Sequence, residues 1–286
     1  MKLVFCGTPM FAVPALKLVL RAGYDVPLVI TQPDRPAGRG QQLAAPPVKT
    51  TALDAGLNIL QPEKIRNNSE LRDELEKIQP DAILVVAYGR IIPKWMLELP
   101  RLGNLNLHGS MLPKYRGAAP IQWAIANGEA ATGATTMRLD EGLDTGDILL
   151  QRELPLAPDM TALDVFPLLA EMGADLMIET LRGLDAGTIT PQPQDETRAS
   201  HAPILTREDG RMDLSQPAMT LYNRWRGFQP WPGAWTMLGG KKLAVHRLLP
   251  TELMGARGSQ PGGIVVQQGT LFVACGEQSW LELVEV

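Results

Sequence analysis

Residues 103–117 read GNLNLHGSMLPKYRG, a strand-like alternation that runs straight into a loop punctuated by glycine and proline. Within it Asn106 and His108 stand two apart, so their side chains leave one face while Leu105 and Leu107 leave the other. A Gly/Pro loop leaving the end of such a strand is where open α/β sheets place their ligand sites. An amide and an imidazole projecting together can donate two hydrogen bonds to one oxygen, and a nearby carboxylate would hold the imidazole protonated. The candidate carboxylate is Asp144, in the run DEGLDTGD at 140–147. A structural histidine and a solvated acidic turn are the competing readings. The acids of DEGLDTGD lack the D-x-[DN]-x-[DN]-G spacing that wraps calcium.

Outward from this stretch, short apolar runs predict strands at 2–6, 26–31, 57–60, 82–87 and 104–108. Helical patterns fall between several of them, and strand–helix alternation argues for a parallel sheet covered by helices. One helix starts at Asn67 or Asn68 and buries Leu71, Leu75 and Ile78. Another starts near Asp159 or Thr161, carries Leu163, Phe166, Leu169, Ala170, Met177 and Leu181, and ends near Gly183 or Gly187. Residues 32–47, QPDRPAGRGQQLAAPP, hold four prolines and two glycines, which predicts a loop with no regular element. The proline-rich polar stretch TITPQPQDETRASHAPI, 188–204, reads as a linker. The expected division is 1–189, a linker at 190–205, and 206–286. The last part has one helical stretch, QPAMTLYNRWRGF, then short alternating segments between glycine-rich turns, the pattern of a small antiparallel barrel.

With 286 residues, 45% hydrophobic and 20% charged, the chain has ample core, and no apolar run approaches the ~20 residues of a membrane span. The opening MKLVFC is too short for a signal-peptide core and reads as a first strand. Two scattered cysteines, Cys6 and Cys275, suggest buried thiols in a reducing cytoplasm rather than a disulfide or metal framework. The net charge is −4, yet residues 198–257 hold nine Lys+Arg against four Asp+Glu. That basic segment suggests an anionic partner, with a solvated surface as the alternative.

NLNLHGSMLPKYRGAAPIQWAI with GLDTGDIL downstream resembles the folate-dependent formyltransferases, and the likeness extends to FCGTPMFAVPAL, TQPDRPAGRGQ, VVAYGRIIP and RGFQPWPGAW. It covers nearly the whole chain. The PDRPAGRG loop and the appended C-terminal part are its specific elements, since formyltransferases of purine synthesis resemble only the first domain. The resemblance implies an α/β fold: a Rossmann-like, mostly parallel sheet domain followed by a small C-terminal antiparallel, OB-like β-barrel. It makes Asn106, His108 and Asp144 the catalytic trio. It implies 10-formyltetrahydrofolate as donor, met by Tyr88, Gly89, Arg90, Ile91 and Ile92 and by Ser110, Met111, Leu112 and Pro113. The implied acceptor is the amine of methionine on initiator tRNA, met by Arg39 of the long loop and by Arg35, Arg207, Lys241 and Lys242. It implies no metal, no obligate protein partner and a monomer.

Two departures stand out. Relatives commonly carry lysine where Ile204 and Arg207 stand, and they usually run a short stretch beyond LELVEV. Trp225, Trp231 and Trp235 read as packed at a domain joint in preference to stacking on bases. The rivals are a formyltransferase for a small amine or sugar nucleotide, an RNA-binding protein without catalysis, and a dinucleotide oxidoreductase. GTPMFA lacks the G-x-G-x-x-G spacing that the last requires.

Overall fold

The computed structural model of the chain describes residues 1–37, 42–252 and 259–286, so Arg39 lies outside the described residues. In chain order its elements begin β1 (Lys2–Gly7), α1 (Val13–Arg21), β2 (Asp25–Ile30), β3 (Arg35–Ala37), β4 (Gln42–Ala44), α2 (Pro47–Asp54), β5 (Ile59–Leu60), α3 (Ser69–Ile78) and β6 (Ala82–Val86). There follow α4 (Lys94–Leu97), β7 (Asn104–His108), β8 (Arg116–Gly117), α5 (Pro120–Ala126), β9 (Ala131–Arg138), β10 (Ile148–Pro155) and α6 (Ala162–Asp185). The last are β11 (His201–Ala202), α7 (Ala218–Gly227), β12 (Ala234–Leu238), β13 (Lys241–Val245), β14 (Arg247–Thr251), β15 (Ile264–Gln267), β16 (Thr270–Ala274) and β17 (Trp280–Glu285).

Two compact units emerge, and no single cut along the chain separates them. The first holds Met1–Arg116, Gly133–Leu154 and Phe166–His201; the second holds Gly117–Thr132, Pro155–Val165 and Ala202–Val286. The stretch expected to be a linker therefore belongs to the first unit as far as His201.

The first unit is built on a sheet of order β10-β9-β7-β6-β1-β2-β5. Strands β5, β2, β1, β6 and β7 are parallel, in the 3-2-1-4-5 order of doubly wound folds. Burial on both faces explains why KLVFC and AILVV are continuous apolar runs. One face packs Val4, Cys6, Leu28, Ile30, Ile83 and Val85 against Leu71 and Leu75 of α3 and Met96 of α4. On the other face α6 comes close enough that a Cβ on Gly173 would meet the Leu107 side chain at 2.7 Å. Asn68 caps α3, its Oδ1 accepting from Leu71 N at 2.9 Å. In α6 the predicted apolar residues Leu169, Ala170, Met177 and Leu181 are buried, whereas Leu163 is exposed.

Two expectations fail, and one strand goes unpredicted. The predicted strand at 57–60 shrinks to Ile59–Leu60. The proline-rich loop does hold a regular element: β3 and β4 pair antiparallel, Arg35 opposite Ala44. Its base is tied by Lys49 Nζ and Gln61 Nε2, both donating to Asp34 Oδ1 at 2.8 and 2.7 Å, and these bonds hold the Asp34 carboxyl below its usual range. The strand β9, antiparallel to β7 and covered on its other side by β10, has no apolar run to announce it, because ATGATTMR buries polar threonines.

The second unit has the hairpin β12–β13 and a four-stranded sheet of order β14-β17-β16-β15. Their apolar faces share an interior lined by Met212, Leu214, Leu243, Val245, Leu271 and Val273, which leaves a cavity of about 60 Å³. The segment 117–132 joins this unit because α5 packs on α7. Trp123 meets Phe228 edge-on at 5.3 Å, and its Nε1 donates to Pro203 O at 2.9 Å. The helices touch through Gly227, where a Cβ would stand 2.5 Å from Gln122 O and 2.7 Å from Ala126 N. Main-chain atoms cannot swing aside, so Gly227→Ala is expected to destabilise this unit by about 1–3 kcal/mol. Chemical denaturation of the variant beside the parent measures the loss; an unchanged midpoint contradicts it.

Candidate active site

Asn106 and His108 lie at the carboxyl end of β7 and are 8% and 5% exposed. His108 Nε2 stands 2.8 Å from the carbonyl oxygen of Tyr115. A carbonyl only accepts, so Nε2 carries the proton and Nδ1 is the remaining nitrogen. Nδ1 faces Asp144 Oδ2 at 3.7 Å. That separation exceeds a hydrogen bond and suits an ion pair once the ring is protonated. The imidazole thus sits between a main-chain carbonyl and a carboxylate, beside the Asn106 amide.

The loop after β7 is pinned through its backbone. Thr135, on β9 opposite His108, donates from Oγ1 to Ser110 O at 2.6 Å and accepts from Leu112 N at 3.2 Å. Gln151 Nε2 donates both to Thr135 Oγ1 and to Leu112 O, each at 2.9 Å. Ser110 Oγ donates to Lys114 O at 2.7 Å, and the Leu112–Pro113 peptide is cis. Met111 fills the space beside Gly133 that a Cβ would occupy.

The segment 88–92 follows β6, the strand adjacent to β7, and so leaves the same edge of the sheet. The Tyr88 ring and the Ile92 side chain are buried in the sheet's core cluster, and burial pushes the Tyr88 hydroxyl above its usual range. The Tyr88 carbonyl accepts from Thr8 Oγ1 at 3.1 Å and Gln32 Nε2 at 2.9 Å, and Gly89 adopts φ +77° against the Gln32 amide. What this segment offers a ligand is main chain, the Arg90 guanidinium and Ile91, which is 83% exposed.

Of the residues expected to meet tRNA, Arg35 belongs to the first unit and Arg207, Lys241 and Lys242 to the second. Arg35, on β3, pairs with Glu63 at 3.2 Å on an open surface. Arg207 is exposed at the start of a 3-10 helix, and its carbonyl accepts from Trp235 Nε1 at 3.1 Å. Lys241 and Lys242 open β13, with Lys242 Nζ 4.2 Å from the centre of the Trp235 ring. Trp225 stacks on Tyr222 at 5.7 Å and Trp235 is buried, which matches packing, whereas Trp231 is exposed. Among the described residues no cluster of His, Cys, Asp and Glu fits a metal ion, and no helix is long and apolar enough to cross a membrane.

Residues 1–181 match the formyl transferase family, and residues 204–286 match the formyl transferase C-terminal domain. A methionyl-tRNA formyltransferase of Acidobacterium capsulatum is 68% identical over 286 residues, covering all of this chain and 91% of that protein. Another, from Koribacter versatilis, is 54% identical over 286 residues, covering 90% of its length. The chain belongs to the methionyl-tRNA formyltransferase family. The fold also recurs at low identity. An N-formyltransferase from Helicobacter canadensis, solved with folinic acid and dTDP-3-aminofucose, superposes with a TM-score of 0.73 at 18% identity, covering 99% of this chain and 98% of that one. HypX from Aquifex aeolicus, solved with tetrahydrofolic acid, superposes at 0.65 and 19%, covering 99% of this chain and 43% of its own.

Thr135 and Gln151 were not legible as site residues, because the strands that carry them, β9 and β10, have mixed polar and apolar patterns. Replacing Thr135 by Val keeps the shape but strips the hydroxyl from Ser110 O and Leu112 N, which are buried, and from the Gln151 amide. Thr135→Val in this formyltransferase is expected to cost about 1–3 kcal/mol, read as a lowered unfolding midpoint; a midpoint equal to the parent's contradicts it.

Proposed function

We propose that this chain moves the formyl group of 10-formyltetrahydrofolate to the α-amine of methionine esterified to initiator tRNA, with Asn106, His108 and Asp144 as the catalytic residues. The observation that carries the residue assignment is the setting of His108, its Nε2 committed to Tyr115 O and its Nδ1 facing Asp144. The residues around this edge fit a flat, amide-bearing folate. Pinned main chain at 110–113 offers hydrogen-bonding groups in fixed places, and exposed Ile91 offers an apolar face. The donor supplies an activated formyl group.

Acyl transfer from nitrogen to nitrogen needs an oxyanion stabilised and a proton moved. Asn106 donates its side-chain N–H to the oxyanion that develops as the amine attacks the formyl carbon. His108 donates the second hydrogen bond from Nδ1, since Nε2 is already engaged. Asp144 offers the protonated ring a counter-charge 3.7 Å from Nδ1 and takes up the proton that the attacking amine loses, which ends on the folate nitrogen as its bond to the formyl carbon breaks. The enzyme forms no covalent bond in this sequence.

Acceptor choice falls to residues elsewhere. Arg39, Arg35, Arg207, Lys241 and Lys242 meet the tRNA, mainly through phosphates, so binding weakens steeply with salt. The buried free thiols Cys6 and Cys275 suit a reducing cytoplasm. The enzyme works as a monomer.

The deciding assay supplies labelled 10-formyltetrahydrofolate with charged initiator tRNA, uncharged tRNA, free methionine or an amino-sugar nucleotide; only the first is expected to take label. Asn106→Ala and His108→Ala are each expected to lower kcat by about 100- to 1000-fold while donor binding by fluorescence persists. Near-parental turnover in both would remove the trio from catalysis.

A further inference from the structure

Gln194 lies in the polar stretch that reads as a linker, yet its amide is fully engaged at the catalytic edge of the first unit. Its Nε2 donates to two main-chain carbonyls, Asp144 O and Gly146 O, both at 2.8 Å. Its Oε1 accepts from Arg116 Nε at 3.0 Å and Arg116 Nη2 at 2.8 Å. Arg116, with a side chain only 4% exposed, also meets Glu196 bidentately, Nη1 to Oε2 at 2.9 Å and Nη2 to Oε1 at 2.7 Å. A guanidinium can only donate, so Oε1 has to face Arg116 and Nε2 has to face the two carbonyls. The order of the chain Glu196–Arg116–Gln194–Asp144 follows from donor and acceptor chemistry alone.

The same strip reaches the other side of His108. Ser200 Oγ accepts from Tyr115 N at 2.9 Å, and Ser200 O accepts from Arg116 N at 2.8 Å. Tyr115 and Asp144 both sit at positive φ, +63° and +54°, a conformation that a tyrosine keeps only when its surroundings enforce it and that an aspartate adopts more readily. These are the two residues that meet the two nitrogens of His108.

We propose that the strip from Gln194 to Ser200 is the positioning element of the catalytic pair, with Gln194 setting the approach of Asp144 to His108. No group in the strip touches the reacting atoms. Its effect passes through the Asp144 main chain, which Gln194 holds in the left-handed conformation that turns the carboxylate towards Nδ1. The bidentate pair with Glu196 holds the Arg116 guanidinium in the plane from which it meets Gln194 Oε1. The proposal rests on the catalytic reading of Asp144 and His108 given above.

The test is a double-mutant cycle with Gln194→Met, which keeps length and volume and loses both donors, and Asp144→Asn, each assayed with labelled donor and charged initiator tRNA. Gln194→Met alone is expected to lower kcat on the order of 10- to 100-fold, the scale of a small misplacement of a catalytic group. KM for the donor should stay near the parent's; the unfolding midpoint falls, since Arg116 and two carbonyls lose a partner, so the assay is run below the variant's transition. In the Asp144→Asn background the same change should cost little, because the carboxylate it positions is gone. An unchanged kcat for Gln194→Met, or a full loss added on top of Asp144→Asn, overturns the proposal. Parental activity in Asp144→Asn by itself would instead strike the catalytic reading, and the proposal with it. Should Gln194→Met not fold, Glu196→Ala, which frees one side of the Arg116 guanidinium, carries the same cycle with a smaller loss expected. A loss that is absent or additive there overturns the proposal as well.

Discussion

The hydrogen bond from His108 Nε2 to the Tyr115 carbonyl, 2.8 Å long, is the constraint on which the site depends. It fixes the tautomer, the ring plane and the nitrogen available for chemistry. A side-chain acceptor could rotate away or titrate, whereas a main-chain carbonyl does neither. The cost is that the chain must return to His108 only seven residues later, and the turn that does so holds Tyr115 in the left-handed region. Much of the first unit serves to keep that return in place.

The antiparallel edge of the sheet has a matching role. Parallel strands bring Asn106 and His108 to the carboxyl edge, but a parallel sheet alone leaves the loop after β7 unsupported. β9 runs back along β7, places Thr135 opposite His108, and gives the loop one hydroxyl that both donates and accepts. Gln151 of β10 satisfies the groups that remain. A buried polar cluster of this kind is worth keeping only when each member is paired, and here the shared hydroxyl is the member that makes the pairing possible.

The legible part of the fold was the part driven by apolar patterning. KLVFC, AILVV and NLNLH are buried runs, and α3 and α6 carry their stripes with recognisable caps. The unread parts are those that polar side chains decide. ATGATTMR becomes a strand through buried threonines, and 188–201 stays with the first unit through Gln194, Glu196 and Ser200 although its composition is that of a linker. The proline-rich loop likewise holds a short pair of antiparallel strands, with Asp34 gathering Lys49 and Gln61 at their base. Each of these depends on a partner more than ten residues away, so no local window contains the reason.

By itself the sequence determined the parallel sheet, the face shared by Asn106 and His108, and, through long matching motifs, the family and its reaction. Side-chain alternation and apolar burial are local consequences of backbone geometry, which is why they could be read directly. Only the tertiary structure decided which histidine nitrogen faces Asp144, that Tyr88 and Ile92 spend their side chains on the core, and that the apparent linker clasps the site. Those outcomes rest on hydrogen bonds and on packing whose partners meet only once the sheet has brought its edge together.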